Sequence, residues 1–402
     1  MDTFFGSAMT SKKPLPVLPQ CGACGLLKAC RSPKLPVAGK GKAGILVVTD
    51  RPNKRQDEVG RYQGADEHLQ ALKEELRRHR IDLFEDCWVV GAAACHTPLD
   101  KKAREAAQHC RPLLLQRIEE LKPTAILLLG WAPLKSVVGH LWKEDIGGEF
   151  TKWQGWKIPV RPWNAWVVPT YHPNDLKLID HEVMAIRWKQ DVSKVVDLAR
   201  SGRPYADDAD LDLRNQVEVL DAARACLIIN DRWVTDCETP TAFDFETNML
   251  KPDHDRSSIA CCSMSDGHRT IVFPWVEPAV RAFKDFLRSD TPKIASNMKF
   301  EDRWCRRVLK VAPRNWWWDT MLAAHVLDAR DGITSIKFQS FVRLGQPVYD
   351  DAVRPFLESR DQGGYAPNRV RDCDPTSLML YCGLDSLLEV LVAYDQRKEM
   401  GL

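Results

Sequence analysis

The chain has no long apolar run, almost no excess of charge of either sign, no internal repeat and no low-complexity tract. Its most apolar candidate run, around Ala125–Gly130, is strand-sized, far short of the roughly 20 residues that span a bilayer. No membrane partner is therefore expected. The opening MDTFFGSAMTSKKPLPVLPQ lacks a charged start followed by an apolar core, so it does not read as a secretory leader and a cytoplasmic setting is expected. Lys and Arg total 57 against 55 Asp and Glu, a formal charge of +2. That balance excludes nucleic-acid binding through average charge and leaves only local patches. Arg77, Arg78 and Arg80, and Lys101, Lys102 and Arg104, are the basic groups that could touch phosphate, although solvated helix faces explain them equally well.

What is present is ordinary for a soluble protein: 402 residues, 44% hydrophobic and 28% charged. That length predicts two or three domains, each with its own core. In a reducing compartment the 13 cysteines read as metal ligands or core residues rather than disulfides. The 14 tryptophans are mainly core fillers, although indoles also stack on bases.

Residues 1–20 read as a flexible lead-in. Strands are expected at Gly44–Thr49, Trp88–Val90, Ala125–Leu129 and Trp166–Pro169. Helices are expected between them over Asp66–Arg80, Lys102–Leu121 and Pro133–Leu141, then over Asp180–Ala199. Such alternation argues for a parallel α/β sheet. The polar stretch RSGRPYADDAD, residues 200–210, reads as a linker, bounded at 201–211, between a domain at 21–200 and another at 212–402. The second opens with a helical run over Asp212–Leu227 and continues into the strand TAFDFETNML.

In that strand Asp244 and Glu246 alternate with Phe243 and Phe245, so both carboxylates point to one side. Like charges so placed repel unless a cation joins them. Further acids follow in SNMKFEDRWC (Asn297, Phe300, Glu301, Asp302) and YCGLDSLLEVL, where Tyr381 and Asp385 share one helix face at i and i+4. Hard oxygen ligands of this kind suit Mg²⁺ or Mn²⁺, and two such ions can drive phosphodiester hydrolysis.

Taken in order, FDFET, NMKFE and YCGLD resemble the three motifs of the DEDDy 3′–5′ exonucleases, especially the proofreading domain of family A DNA polymerases. The likeness spans about residues 210–400 and includes WWWDTMLAAHVLDARDGITSIKFQS through Asp319, Thr320, Ala323 and Leu327. It implies an RNase H-like fold. Asp244, Glu246, Glu301 and Asp385 would hold two Mg²⁺ or Mn²⁺ ions, and Tyr381 would orient the attacking water. Asn297, Phe300 and Asp319 would support the site. Glu301 departs from the family's more usual Asp, and neighbouring Asp302 is the alternative fourth acid. The implied substrate is DNA at single-stranded or frayed 3′ ends. No fingers, palm or thumb resemblance follows, so either the chain is part of a longer one or a separately encoded polymerase is its partner. The latter arrangement would suit a phage, with the bacterial host cytoplasm as the setting.

The first domain carries Cys21 and Cys24 in C-x-x-C spacing, then Cys30, Cys95 and Cys110. With KPTAILLLGWAPLKSVVG and VVPTYHPND, this arrangement resembles the iron–sulfur (family 4) uracil-DNA glycosylases over about residues 20–200. The resemblance implies a three-layer α/β fold with Cys21, Cys24, Cys95 and Cys110 on a [4Fe–4S] cluster. Zinc is the alternative, and Cys30 is a spare. Cys261 and Cys262 read as core residues. The catalytic loop is altered. Where the family has G-E-x-P-G, this chain has Thr49-Asp50-Arg51-Pro52-Asn53. Asp50 and His172 are retained, Tyr62 can occupy the base-stacking position, and Gly91 replaces the asparagine that reads the uracil edge. The expected whole is a proofreading exonuclease with a glycosylase-like DNA- or partner-binding domain of low or no glycosylase activity. The alternatives are a bifunctional enzyme that also excises uracil, and a non-catalytic DNA-gripping subunit.

Overall fold

A computed structural model describes residues 19–62, 67–142, 146, 150–179, 182–206, 212–359 and 363–402. The expected lead-in, apart from residues 19 and 20, and part of the expected linker, residues 207–211, lie outside the described residues. The chain forms two compact units. One takes Met1–Pro123, Leu128–Val138 and Tyr171–His181; the other takes Thr124–Leu127, Gly139–Thr170 and Glu182–Leu402.

Both sheets are mixed α/β structures, the class expected of each half. The first has strands β1 (Ile45–Thr49), β2 (Cys87–Gly91), β3 (Ala125–Leu129), β4 (Ile158–Val160) and β5 (Ala165–Thr170), in the order β2-β1-β3-β5-β4. Strands β1 and β2 are parallel with Thr49 opposite Gly91, which sets the two loops leaving them side by side. The expectation of a parallel sheet fails at one edge, because β4 runs antiparallel to β5. Only the short 3₁₀ turn Arg161–Trp163 and Asn164, with φ +44°, separate those strands, and a parallel crossover needs a dozen residues or more. The expected helices run Glu67–Arg78, Asp100–Leu121, Trp131–Trp142 and Glu182–Ser201.

The second sheet has strands β6 (Val217–Val219), β7 (Thr241–Thr247), β8 (Ile259–Ser265), β9 (Thr270–Pro274), β10 (Lys293–Ala295) and β11 (Trp316–Asp319), in the order β11-β10-β7-β8-β9-β6. Strand β8 is antiparallel to both neighbours, while β7–β10, β10–β11 and β9–β6 are parallel. The run 212–227 is not one helix. A 3₁₀ turn at Leu213–Gln216 leads into β6, and Ala222–Ile228 is helical behind an Asp221 cap. Val217 and Val219 are β-branched, and pairing to β9 outweighs the local helical pattern.

Strand β7 divides the core. Phe243 and Phe245 enter an aromatic cluster with Phe283, Phe286 and Trp304. Ala242 faces Val390 and Ala393 of the helix Pro375–Met400 on the other side. That helix starts at Pro375 behind Asp374, whose side chain accepts the Ser377 N–H at 2.8 Å. It also amends the expectation that no segment is span-like. By length and composition it could cross a membrane, but 72% of its most apolar window is buried inside the protein. Cys, Gly and Ser interleaved with its leucines hide the run from inspection, and the acids Asp385 and Glu389 lie within it.

Phe283 is fully buried and touches Phe243, Phe245, Trp275 and Phe286. Phe283→Ala is expected to cost about 3–5 kcal/mol, read as a lower denaturant midpoint with an unchanged slope.

Candidate active sites

Register and alternation build the acidic site. In β7, Asp244 lies opposite Ser263 and Glu246 opposite Cys261 of β8, so both acids share the face covered by the helix Pro375–Met400. The Ser263 hydroxyl donates to the Cys382 carbonyl at 2.7 Å, locking that helix to β8, and the Cys382 Sγ lies 3.7 Å from Asp244 Oδ2. Asp385 follows one turn later. Its Oδ1 accepts the Tyr349 hydroxyl, and the Tyr381 hydroxyl also bonds to its carboxyl. The Tyr349 and Tyr381 rings sit 5.6 Å apart, and Lys337 lies 5.4 Å from the Tyr381 ring while pairing with Asp350.

Glu301 enters from the helix Met298–Trp304, which Asp319 positions. One Asp319 oxygen accepts the Met298 N–H at 3.0 Å. The other accepts Asn297 N–H at 3.1 Å, Met321 N–H at 2.9 Å and Leu322 N–H at 3.2 Å. A single carboxylate thus caps two helices, as capping chemistry favours. Asn297 contributes its left-handed backbone, φ +67°, and no side-chain cap. Phe300 packs beside Trp304 at the core's margin. Glu301 is only 2% exposed. Asp302, the alternative, instead pairs with Arg306 at 2.6 Å and accepts the Trp316 indole N–H at 3.4 Å.

Glu389, one turn past Asp385, went unnoticed in the sequence although it lies within YCGLDSLLEVL. It is 2% exposed, and its Oε1 accepts the Ser296 N–H at 3.1 Å. Tyr349 and Cys382 also went unnoticed; nothing in the local pattern around Tyr349 marks it. Burial holds Asp244, Glu246, Glu301, Asp385 and Glu389 above the usual carboxylate range. Neighbouring carboxylates add to this at each of the five, while Lys337 opposes it at Glu246 and Asp385. Such a set ionises together only when positive charge joins it. The residues fit a divalent cation: Asp244, Glu246 and Cys382 bring ligand atoms within 4.8 Å of one another. Carboxylate oxygens suit Mg²⁺ or Mn²⁺, and the thiol adds a softer donor.

The second site is a pocket of about 450 Å³ lined by Thr49–Lys54, His96, Asp100, Arg104, Gly130, Trp131, His172, Asn174 and Asp175, among others. His172 accepts the Asn174 N–H at Nδ1 (3.2 Å), which leaves Nε2 to donate to Thr49 Oγ1 at 3.3 Å when the ring is neutral. Asp50 accepts the Ala132 N–H and pairs with Arg51, both at 3.3 Å. Arg51 in turn donates to the Thr97 carbonyl at 2.8 Å and binds Asp100 at 2.5 Å. Arg51, at the variable position of that loop, therefore engages the retained acid. Asn53 and Gln56 form a reciprocal capping box that fixes the loop's exit. Tyr62 and Gly91 are not among the pocket's lining residues. A Cβ on Gly91 would sit 2.5 Å from the Ala93 carbonyl oxygen and 2.7 Å from the Tyr62 hydroxyl, so Tyr62 fills the space beside Gly91.

The N-terminal thiols gather near one another, all reduced. Cys21 and Cys24 act electrostatically on both Cys95 and Cys110; Cys95 accepts the Lys34 N–H at 3.3 Å and bonds to Cys30. Burial pushes the Cys110 thiol up to about 11 and the Cys30 thiol to about 12. Tetrahedral zinc, with bonds of about 2.3 Å, would draw its sulfurs to about 3.8 Å of one another. Among the described residues no three of these thiols approach within 4.8 Å. Cys261 and Cys262 lie in the second core, as expected.

Two outcomes follow. Asp319→Ala removes acceptors from two helix starts and is expected to cost about 1–2 kcal/mol, seen in thermal denaturation. Gly91→Asn is expected to lower the melting temperature without restoring uracil recognition, because its Cβ meets Ala93 and Tyr62.

The Uracil DNA glycosylase superfamily model matches residues 36–189. The type-4 uracil-DNA glycosylase of Pyrobaculum aerophilum is 32% identical over 127 residues, 30% of this chain and 61% of that protein. That of Sulfurisphaera tokodaii is 28% identical over 204 residues, 49% of this chain and 88% of the relative. Among solved structures, Brucella melitensis NrnC bound to pGG aligns with 46% of this chain and 81% of its own at 14% identity and a TM-score of 0.34. The first part of the chain, residues 36–189, is a uracil-DNA glycosylase superfamily domain.

Proposed function

We propose that the second half of the chain is a divalent-metal-dependent 3′–5′ exonuclease acting on DNA ends as a proofreading module. The glycosylase-like domain would then serve as a DNA- or partner-binding element. The observation that carries the reading is the convergence of Asp244, Glu246, Glu301 and Asp385, from two strand positions and two helices, beside Tyr381. Bound at the face formed by Asp244 and Glu246, divalent cations would activate water and neutralise the leaving oxygen of a phosphodiester. The chain's own groups do the positioning. Tyr349 holds the Asp385 carboxyl, Asp385 orients the Tyr381 hydroxyl toward a water, and Asp319 fixes the helix that carries Glu301. Buried aromatic rings keep bulk solvent from the acids.

In the glycosylase-like domain, Cys21, Cys24, Cys95 and Cys110 would hold a [4Fe–4S] cluster, with zinc the alternative. Asp50 tied to Arg51, and Gly91 beside Tyr62, speak against uracil excision.

A 5′-labelled primer with Mn²⁺ or Mg²⁺ is expected to shorten stepwise from its 3′ end, with DNA preferred over RNA. Asp244→Asn should reduce the rate by at least about 100-fold. An unshortened primer under every metal would contradict the reading. Iron analysis should find about four irons per chain with broad absorbance near ~400 nm, lost in Cys95→Ser. Uracil release from a uracil-containing duplex should stay at background.

A further inference from the structure

The helix Met298–Trp304 runs on through the wider π-helical turn Cys305–Leu309 to Lys310, whose backbone is left-handed at φ +58°. Its inner side buries Glu301, Trp304, Cys305 and Leu309. Its outer side is cationic throughout: Lys299, Arg303, Arg306, Arg307 and Lys310 are the exposed positions between residues 298 and 310, and each is Lys or Arg. Residues 299 and 303, 303 and 307, and 306 and 310 stand four apart, so the row sets like charges beside one another, which weakens a helix. A face kept only for solubility mixes the two signs. The chain as a whole is balanced, with 57 basic against 55 acidic residues, so this excess is local.

Two carboxylates answer the five cations. Asp253 pairs with Arg303 and, at 3.8 Å, with Arg307, while Asp302 accepts the Arg306 Nε–H at 2.6 Å. Arg306 and Arg307 meet these acids through Nε, away from the forked Nη pair that grips a phosphate. From Lys299 to Lys310 the row rises about 16 Å, the rise of about five nucleotides of one strand at roughly 3.4 Å each. No exposed apolar side chain interrupts it, although a protein partner would bury some. We infer that the outer face of residues 298–310 binds the phosphodiester backbone of a nucleic-acid strand without regard to sequence. It lies on the helix that carries Glu301 and gives a strand its footing there, whether or not the acids cut it.

The test is the anisotropy of a fluorescent oligodeoxythymidine on the full chain, in chelator and at rising KCl, so that binding is read apart from cleavage. Lys299→Gln/Arg307→Gln/Lys310→Gln keeps Arg303 on Asp253 and Arg306 on Asp302. It is expected to lower the slope of log K against log salt by about 2, equally for strands of other sequence. Arg77→Gln/Arg78→Gln/Arg80→Gln removes as many exposed charges from the first half of the chain and is expected to keep the wild-type slope. Lys299→Gln alone, with an expected drop of about 0.7, serves if the first triple variant does not fold. An unchanged slope in that variant, an equal drop in both triple variants, competition by polyglutamate as effective as by the strand, or no binding by the wild type would overturn the surface and leave the nuclease reading standing. A wild type that holds the strand through this row yet never shortens it with Mg²⁺ or Mn²⁺ would overturn the nuclease reading alone.

Discussion

Repulsion among buried carboxylates is the constraint around which the second half of the chain is organised. Five acids stand between one strand and two helices, with Lys337 the side chain that opposes their charge at Glu246 and Asp385. An apolar filling of the same space would be more stable. The structure instead invests in fixing these groups: Ser263 locks the long helix to the sheet, Asp319 caps two helices at once, and Tyr349 holds Asp385. The aromatic cluster on the opposite face of β7 provides the rigid backing.

The first half shows the reverse arrangement, a family pocket with its polar groups already committed. Arg51 ties Asp50 to the Thr97 carbonyl and to Asp100, and Tyr62 closes the space beside Gly91. His172 keeps a defined tautomer through Asn174. The enclosed volume survives while the contacts that would read a uracil edge do not line it.

Much of this was legible in the sequence because alternation and helical spacing are local. FDFET predicted two acids on one face and two phenylalanines on the other. YCGLD predicted Tyr381 and Asp385 together. What stayed hidden depends on tertiary pairing. Val217–Val219 became a strand through β9, and β4 reversed across a turn too short for a crossover. Between the two candidate acids Glu301 and Asp302, Glu301 is buried while Asp302 pairs with Arg306. Glu389 was visible at the right spacing, but only the bond from Ser296 and the neighbouring acids give it meaning.

The central claim, that the β7 acids exist to hold divalent cations, is tested most directly by anomalous diffraction from crystals of the wild-type chain grown with Mn²⁺. The account predicts anomalous density between Asp244, Glu246 and Cys382, with the five carboxylates folded inward as described. Ordered carboxylates around an empty face at saturating Mn²⁺ would contradict it.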